Sequence, residues 1–474
     1  MKPSAMLLRA FTLEATPDQV ALLHELDDFI LDKSQQKPAF VLKGYAGTGK
    51  TTLISLLVPV LKQLGFKVAL LAPTGRAAKV FAGYARKRAY TIHRKIYRQS
   101  DIQEGNLRFQ RVRNTSSNTV YLVDEASMIS DKADFGQKSL LNDLLNYVFE
   151  AGTEHNKLML IGDTAQLPPV SDPQSPALEA DYLRRVYGLA VKDFQLTQVM
   201  RQGQHSGILW NATRLREQML EKNPQLQFRT KGYKDFYKMT ADRLEDGLRY
   251  AYDKYGTEQV IVVCRSNKNA NNFNQYIRRM IQFSESEIEA GDLLMIVKNN
   301  YFVLTENGRD SFLANGDFVE VLKVRNFEEM YGFRFVTLTL RLLDEPEQEA
   351  FEAKVMLDTL YQQEASLPSA QYQRLYEAVL EDYQDLTRKQ QRNEALKKDP
   401  YLNALQVKFA YALTCHKSQG GQWKAVFIEQ GFLKKEEQID MEFLRWLYTA
   451  LTRATDEVFL VNFHPQFFDS HEVS

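Results

Sequence analysis

The residues Gly44, Tyr45, Ala46, Gly47, Thr48, Gly49, Lys50 and Thr51 form a consecutive run that combines three glycines with an ammonium and a hydroxyl. Glycines let backbone N–H groups wrap phosphates, Lys50 reaches the terminal phosphates, and Thr51, with Thr52 behind it, suits the first turn of a helix and a magnesium ion. Downstream, Asp124-Glu125 supplies two adjacent carboxylates of different use. Asp124 suits metal coordination. Glu125 suits polarising an attacking water, because phosphoryl transfer to water needs a positioned acceptor more than covalent chemistry. The plainer use of such a pair is to cap a helix N-terminus.

These groups need a frame that brings them to one edge. Pro38–Lys43 is a short apolar strand running directly into the glycine loop, and the pattern after Thr51 is helical. Lys67–Ala72, Thr119–Val123 and Lys157–Ile161 repeat the apolar strand theme between helix-compatible stretches, as a buried parallel sheet requires. The last two end at Asp124-Glu125 and at Gly162-Asp163, where a parallel sheet carries its ligand-facing loops. Further strand candidates are Gln259–Cys264, Leu405–Thr414, Lys424–Glu429 and Glu457–Val461, with a helix over Met441–Arg453. No second glycine loop accompanies them, so one nucleotide site between two halves is expected. A loose phosphoryl transition state is stabilised by positive charge that arrives on closure, so the second half should bring cations to that site.

The ordered set of the glycine loop, Leu71–Lys79, Thr91-Ile-His93, Asp124–Met128 and Gly162–Val170 resembles the superfamily 1 helicases, and among them the RecD-like and Dda-like branch. The resemblance implies an α/β fold: two RecA-like parallel-sheet domains around one ATP cleft, a hairpin insertion in the first, and a small β-barrel plus helical insertion in the second. It implies that Gln19 reads the adenine and Gln166 senses the γ-phosphate. Pro73, Thr74, Lys79 and His93 would line the nucleic-acid path. Leu196–Gln202 and Leu447–Ala454 resemble arginine-finger segments, which makes Arg201 and Arg453 catalytic beside Lys50, Glu125 and Gln166; lysine would replace them poorly because guanidinium is planar and forked. In the loop Leu413–Trp423, the resemblance gives Thr414, His416 and Ser418 to the nucleic-acid backbone and Gln419 and Gly420 to the phosphates. Ala314–Asp317 resembles a turn of RecD-like members, and reads equally well as a hairpin turn.

Domain boundaries follow the motifs. Residues 1–190 form the first domain, 191–300 with 401–474 the second, and 301–400 an inserted barrel with an acidic helical extension. From Asp344 to Asp399 there are thirteen acidic against seven basic residues, a composition that suits a lid or a protein-partner surface better than a phosphate track. Net charge is +0, so any affinity for nucleic acid must come from local clusters. Between Arg86 and Arg113, nine Lys or Arg stand against Asp101 and Glu104, interleaved with Tyr90, Tyr97 and Phe109. Basic groups neutralise phosphates and aromatic rings stack on bases. The segment occupies the place of a strand-separating hairpin, over about 86–118, with Phe109 or Tyr97 as the wedge.

The reading is an ATP- and Mg2+-dependent DNA helicase working as a single-chain motor on single-stranded DNA and duplex junctions, and the branch implies 5′ to 3′ movement. An RNA helicase on the same scaffold and a P-loop kinase or regulatory ATPase without a polymer track remain alternatives. The chain has no apolar run long enough for a bilayer and no signal-peptide pattern at Met1–Ala10, so a cytoplasmic location is expected. Its two cysteines, Cys264 and Cys415, are expected to be reduced thiols in packed surroundings.

Overall fold

The computed structural model describes residues 2–11, 14–103, 106–133, 139–170, 172–200, 205–306, 312–343, 349–431 and 439–468. In chain order the first half carries β1 (Pro38–Gly44), β2 (Lys67–Ala72), β3 (Ala89–Thr91), the pair β4 (Tyr97–Gln103) and β5 (Asn106–Arg111), β6 (Thr119–Val123), β7 (Lys157–Gly162) and β8 (Ala190–Leu196). Six of them make one sheet in the order β3-β2-β6-β7-β1-β8, every pairing parallel. Its central strands are buried on both faces, which is why they read as unbroken apolar runs rather than alternating ones. One face packs against the helices Pro17–Leu31, Lys50–Gln63 and Gly75–Ala85. The other packs against Leu140–Val148 and Ala180–Tyr187. β8 completes this sheet beside β1, so the first unit extends to Leu196 and does not end at 190.

The second half continues with β9 (Phe236–Met239), β10 (Val260–Cys264), β11 (Leu293–Ile296), β12 (Phe318–Met330), β13 (Phe333–Leu342), β14 (Phe351–Met356), β15 (Leu405–Phe409), β16 (Ala412–Thr414), β17 (Trp423–Glu429) and β18 (Ala454–Val461). A five-stranded sheet runs β16-β10-β17-β18-β9, again all parallel. The barrel closes as β11-β12-β13-β14-β15. Its pairings are antiparallel except β14 with β15. It also draws strands from outside 301–400, so the insertion is wider at both ends. Leu405–Thr414, expected as one strand, is two: β15 closes the barrel and β16 edges the second sheet, with the turn at Ala410-Tyr411. Both pieces are apolar because both are buried, so composition could not separate them.

The segment 344–400 is not wholly helical. Phe351–Met356 is barrel strand, and the helical part is Ser369–Asp382 and Lys389–Lys398, packed on Phe333, Phe335 and Met356 at the end of the barrel. The start of this segment, 344–348, lies outside the described residues. Among the described residues no helix is long and apolar enough to cross a membrane.

Candidate nucleotide site and interdomain cleft

The glycine loop leaves the carboxyl end of β1, and Asp124 and Asp163 leave the adjacent ends of β6 and β7, so sheet order alone gathers them. Gly47 and Gly49 take left-handed φ of 76° and 89°, and Gly49 is the N-cap of the helix Lys50–Gln63. Lys50 Nζ donates to the carbonyls of Gly44 at 2.5 Å and Tyr45 at 3.0 Å, which folds the ammonium over the loop. Thr48 is buried, its hydroxyl donating to Tyr45 O at 2.8 Å. Thr51 is exposed at the start of the helix and Thr52 half-buried behind it. Gln19 is buried; its amide donates to Thr48 O at 3.1 Å and accepts from Thr16 N–H at 3.0 Å. The structure thus places Gln19 as a brace of the loop.

Asp124 is held well above the usual carboxylate range, at about 6, first by burial and then by the charge of Glu125. A hydrogen bond from the Tyr84 hydroxyl to Asp124 and the charge of Lys50 work against that rise. Glu125 adopts φ +51°, a strained conformation for a non-glycine residue, and its N–H donates to Asp124 Oδ1 at 2.9 Å. Gln166 is buried, and its Oε1 has no hydrogen-bond partner among the described residues. An unpaired buried carbonyl is costly. It fits a site that receives a polar guest, as do the buried carboxylate of Asp124 and the ammonium of Lys50.

The second half covers this site. Arg453 follows the helix Met441–Leu451 and is 4% exposed; its Nη1 stands 3.6 Å from Glu125 Oε1. Its Nε and Nη1 also donate to Thr449 O at 3.1 Å and Gly421 O at 3.3 Å, so the guanidinium is oriented by its own half before it meets Glu125. Arg201 lies outside the described residues. Two residues of that helix join in, neither of them singled out from sequence. Tyr448 Oη accepts from Ala46 N–H at 2.9 Å and donates to Asp163 Oδ2 at 2.7 Å, and Thr449 Oγ1 accepts from Leu167 N–H at 2.9 Å. Both stood in the Leu447–Ala454 segment, but a tyrosine or threonine on a buried helix carries no signal of what it faces. Arg216 was also missed; its guanidinium lies 4.2 Å from the centre of the Tyr45 ring.

The groups read for nucleic acid meet the second half as well. Pro73 is half-buried before the helix Gly75–Ala85. Thr74 caps that helix, its Oγ1 accepting from Ala77 N–H at 3.2 Å. Lys79 Nζ donates to Leu343 O at the end of the barrel, at 2.5 Å. A Cβ on Gly75 would lie 1.8 Å from Asp317 Oδ1, and one on Gly420 would lie 2.6 Å from Ala77 Cβ, so glycine at both positions permits the halves to touch. Ala314–Asp317 is therefore an interdomain turn, closed by Ala314 N–H donating to Asp317 Oδ2 at 2.6 Å, with Gly316 at φ +93°. Gly420 faces Ala77 and Thr74, and Gln419 donates from Nε2 to Leu167 O at 2.8 Å. Both residues, read for the phosphates, make interdomain contacts here. Ser418 is fully buried and donates to Cys415 O at 2.8 Å, which turns its hydroxyl inward. Thr414 and His416 are half-buried in the same loop, and burial lowers the His416 pKa against the pull of Glu442.

The β4-β5 hairpin rises from the first half with Gln99 opposite Phe109; the Phe109 side chain lies outside the described residues. Tyr97 sits at the hairpin base and its hydroxyl donates to Asp143 Oδ2 at 2.8 Å. The His93 ring lies 5.6 Å from that of Tyr97, tilted by 44°.

Residues 30–229 match the family model for an AAA domain, and 409–461 match that for a UvrD-like helicase C-terminal domain. The ATP-dependent RecD2 DNA helicase of Deinococcus radiodurans is 31% identical over 188 residues, which is 40% of this chain and 23% of that protein. The ATP-dependent DNA helicase dda of Enterobacteria phage T4 is 30% identical over 173 residues, 35% of this chain and 36% of its own. An uncharacterised protein of Acanthamoeba polyphaga mimivirus is 23% identical over 498 residues, covering 88% of this chain and 94% of its own. The matched region thus spans well under two thirds of either named helicase. A structure of Pif1 helicase from Bacteroides with ADP-AlF3 and ssDNA is similar over 96% of this chain and 94% of its own, at 16% identity and a TM-score of 0.47.

Proposed function

Since the chain belongs to the superfamily 1 helicases of the RecD/Pif1 type, we propose that it is an ATP-driven DNA helicase that moves along single-stranded DNA, 5′ to 3′. The observation that carries this reading is the placement of Arg453, from the second half, 3.6 Å from Glu125 on the first. Other P-loop enzymes use such an arginine too, but here it arrives from a second parallel-sheet body. A motor needs it, because the charge on the transferring phosphoryl group must report on the relation between two bodies.

In this reading the glycine loop and Lys50 hold the phosphates of ATP. Thr51 and Asp124 would hold Mg2+, which when bound neutralises charge on the phosphate oxygens. Glu125 accepts the proton of the attacking water, Gln166 orients the reacting end, and Arg453 with Arg201 supplies positive charge as the cleft closes. Gln19 braces the loop from the side on which a base would lie. Pro73, Thr74, Lys79, His93, Thr414 and His416 form the strand path, Thr74 through the O–H that its capping role leaves able to donate. The hairpin β4-β5 stands at the duplex junction, and the acidic extension of the barrel serves a protein partner.

Unwinding of duplexes bearing either a 5′ or a 3′ single-stranded tail, with hydrolysis measured beside DNA and RNA single strands, tests substrate and direction together. Stimulation by DNA and opening of the 5′-tailed duplex is the expected result. Stimulation by RNA alone would transfer the reading to an RNA helicase, and hydrolysis indifferent to either strand would end the motor reading.

A further inference from the structure

Tyr448 is 1% exposed, and its hydroxyl makes two hydrogen bonds that both cross from the second half to the first. It accepts from Ala46 N–H at 2.9 Å and donates to Asp163 Oδ2 at 2.7 Å. Ala46 belongs to the glycine loop, whose N–H groups are the natural donors to a nucleotide's phosphates. A phenol has one hydrogen to give. Here it goes to Asp163, and burial together with the charge of Asp163 keeps the phenol protonated. The oxygen that faces Ala46 is therefore a pure acceptor, as a phosphate oxygen is.

We propose that Tyr448 is a positioning residue that competes with the terminal phosphate for the Ala46 N–H, and so transmits nucleotide occupancy to the helix Met441–Leu451. The inference rests on the ATPase reading above and deepens it. One N–H directs its hydrogen along one axis, so phosphate and phenol oxygens cannot both accept from it at full strength. When a phosphate takes that donor, Tyr448 keeps only Asp163, and the helix loses one of its ties to the first half. Other ties at the same surface remain to guide it, among them Leu167 N–H to Thr449, Arg445 to Pro173 O and Gln419 to Leu167 O. Arg453 stands just beyond the far end of this helix, against Glu125. A shift of the helix at Tyr448 is thus a shift of Arg453 at the water-activating carboxylate.

The test is Tyr448→Phe in the full chain, which keeps ring and packing and removes the oxygen. Binding of a fluorescent non-hydrolysable ATP analogue without DNA should tighten about two- to tenfold, the worth of one neutral hydrogen bond that no longer has to be broken. At saturating ATP and single-stranded DNA, kcat should fall about tenfold while the melting temperature stays at the wild-type value. Weaker or unchanged analogue binding overturns the proposal, because the phenol oxygen would then not compete. Loss of kcat together with a lowered melting temperature overturns it in favour of plain packing. Asp163→Asn provides a second variant: it weakens the hold on the phenol hydrogen, and tighter analogue binding is again expected, with unchanged or weaker binding counting against competition. Wild-type hydrolysis indifferent to DNA would sink the motor reading, while the analogue titration would still decide the role of Tyr448.

Discussion

Arg453 and Glu125 meet at 3.6 Å between Nη1 and Oε1, one arriving from each half of the molecule. Glu125 is fixed by a left-handed backbone at φ +51°, and Arg453 by carbonyls of Thr449 and Gly421. Both side chains are thus oriented independently before they pair.

Glu125→Gln removes the proton acceptor and leaves the shape. ATP binding should stay within about twofold of wild type and kcat should fall at least about a hundredfold, the usual worth of a positioned base. Lys50→Ala should abolish hydrolysis through loss of phosphate binding. Equilibrium titration with labelled nucleotide beside steady-state hydrolysis separates the two; turnover retained in Glu125→Gln would reject this residue as the base.

Arg453→Lys keeps a positive charge but cannot reproduce the fork that spans Thr449 O, Gly421 O and Glu125. Hydrolysis should fall about a thousandfold, with nucleotide affinity little changed, since the arginine acts on the transition state. An equal loss in affinity and in rate would show it to be a ground-state ligand.

Arg76 ties the first half to both parts of the second. Its guanidinium lies 4.6 Å from the Phe318 ring on the barrel and 4.2 Å from the Trp423 ring on the second sheet, and it donates to Gln422 O at 3.4 Å. Cation–π contacts of this kind contribute about 1 kcal/mol each. Arg76→Ala should therefore reduce unwinding several times more than it reduces DNA-stimulated hydrolysis, measured as ATP consumed per base pair opened. Proportional loss of both activities would refute a coupling role.

Lys408 and Lys417 are both pushed down to about 8 by burial; Lys408 donates to the Gln362 carbonyl. An unfolded lysine titrates near 10.4. Between these values the unfolded chain holds a proton that the folded chain has released, so the fold gains stability as pH rises. Lys408→Met should be more stable than wild type at pH 7, by a margin in melting temperature that shrinks toward pH 9. A margin independent of pH would show that the lysine titrates normally.

The chemistry of the nucleotide loop was readable because its parts are local. Strand, glycine turn and helix follow one another in β1 and the helix Lys50–Gln63, and each fragment announces itself by residue type. Asp124-Glu125 was readable for the same reason, at the end of an apolar strand. The hydrogen bond from Tyr97 to Asp143 was not readable, because an aromatic in a basic segment looks the same whatever its hydroxyl meets. The inward contacts of Ser418 and Gln419 were not readable, because motif loops present many polar groups and only packing decides which of them turn inward.

The sequence by itself determined the two parallel sheets, the single glycine loop and the carboxylates beside it, since apolar periodicity and turn chemistry act over a few residues. Only the tertiary structure decided what crosses the cleft. Ala46 and Tyr448 are 402 positions apart in the chain, and Thr449, Gln419, Gly420 and Arg76 likewise find partners far away in sequence. Such contacts depend on how two separately folded bodies dock. That docking is set by surface shape and hydrogen-bond geometry summed over both halves, and no short stretch of either half records it.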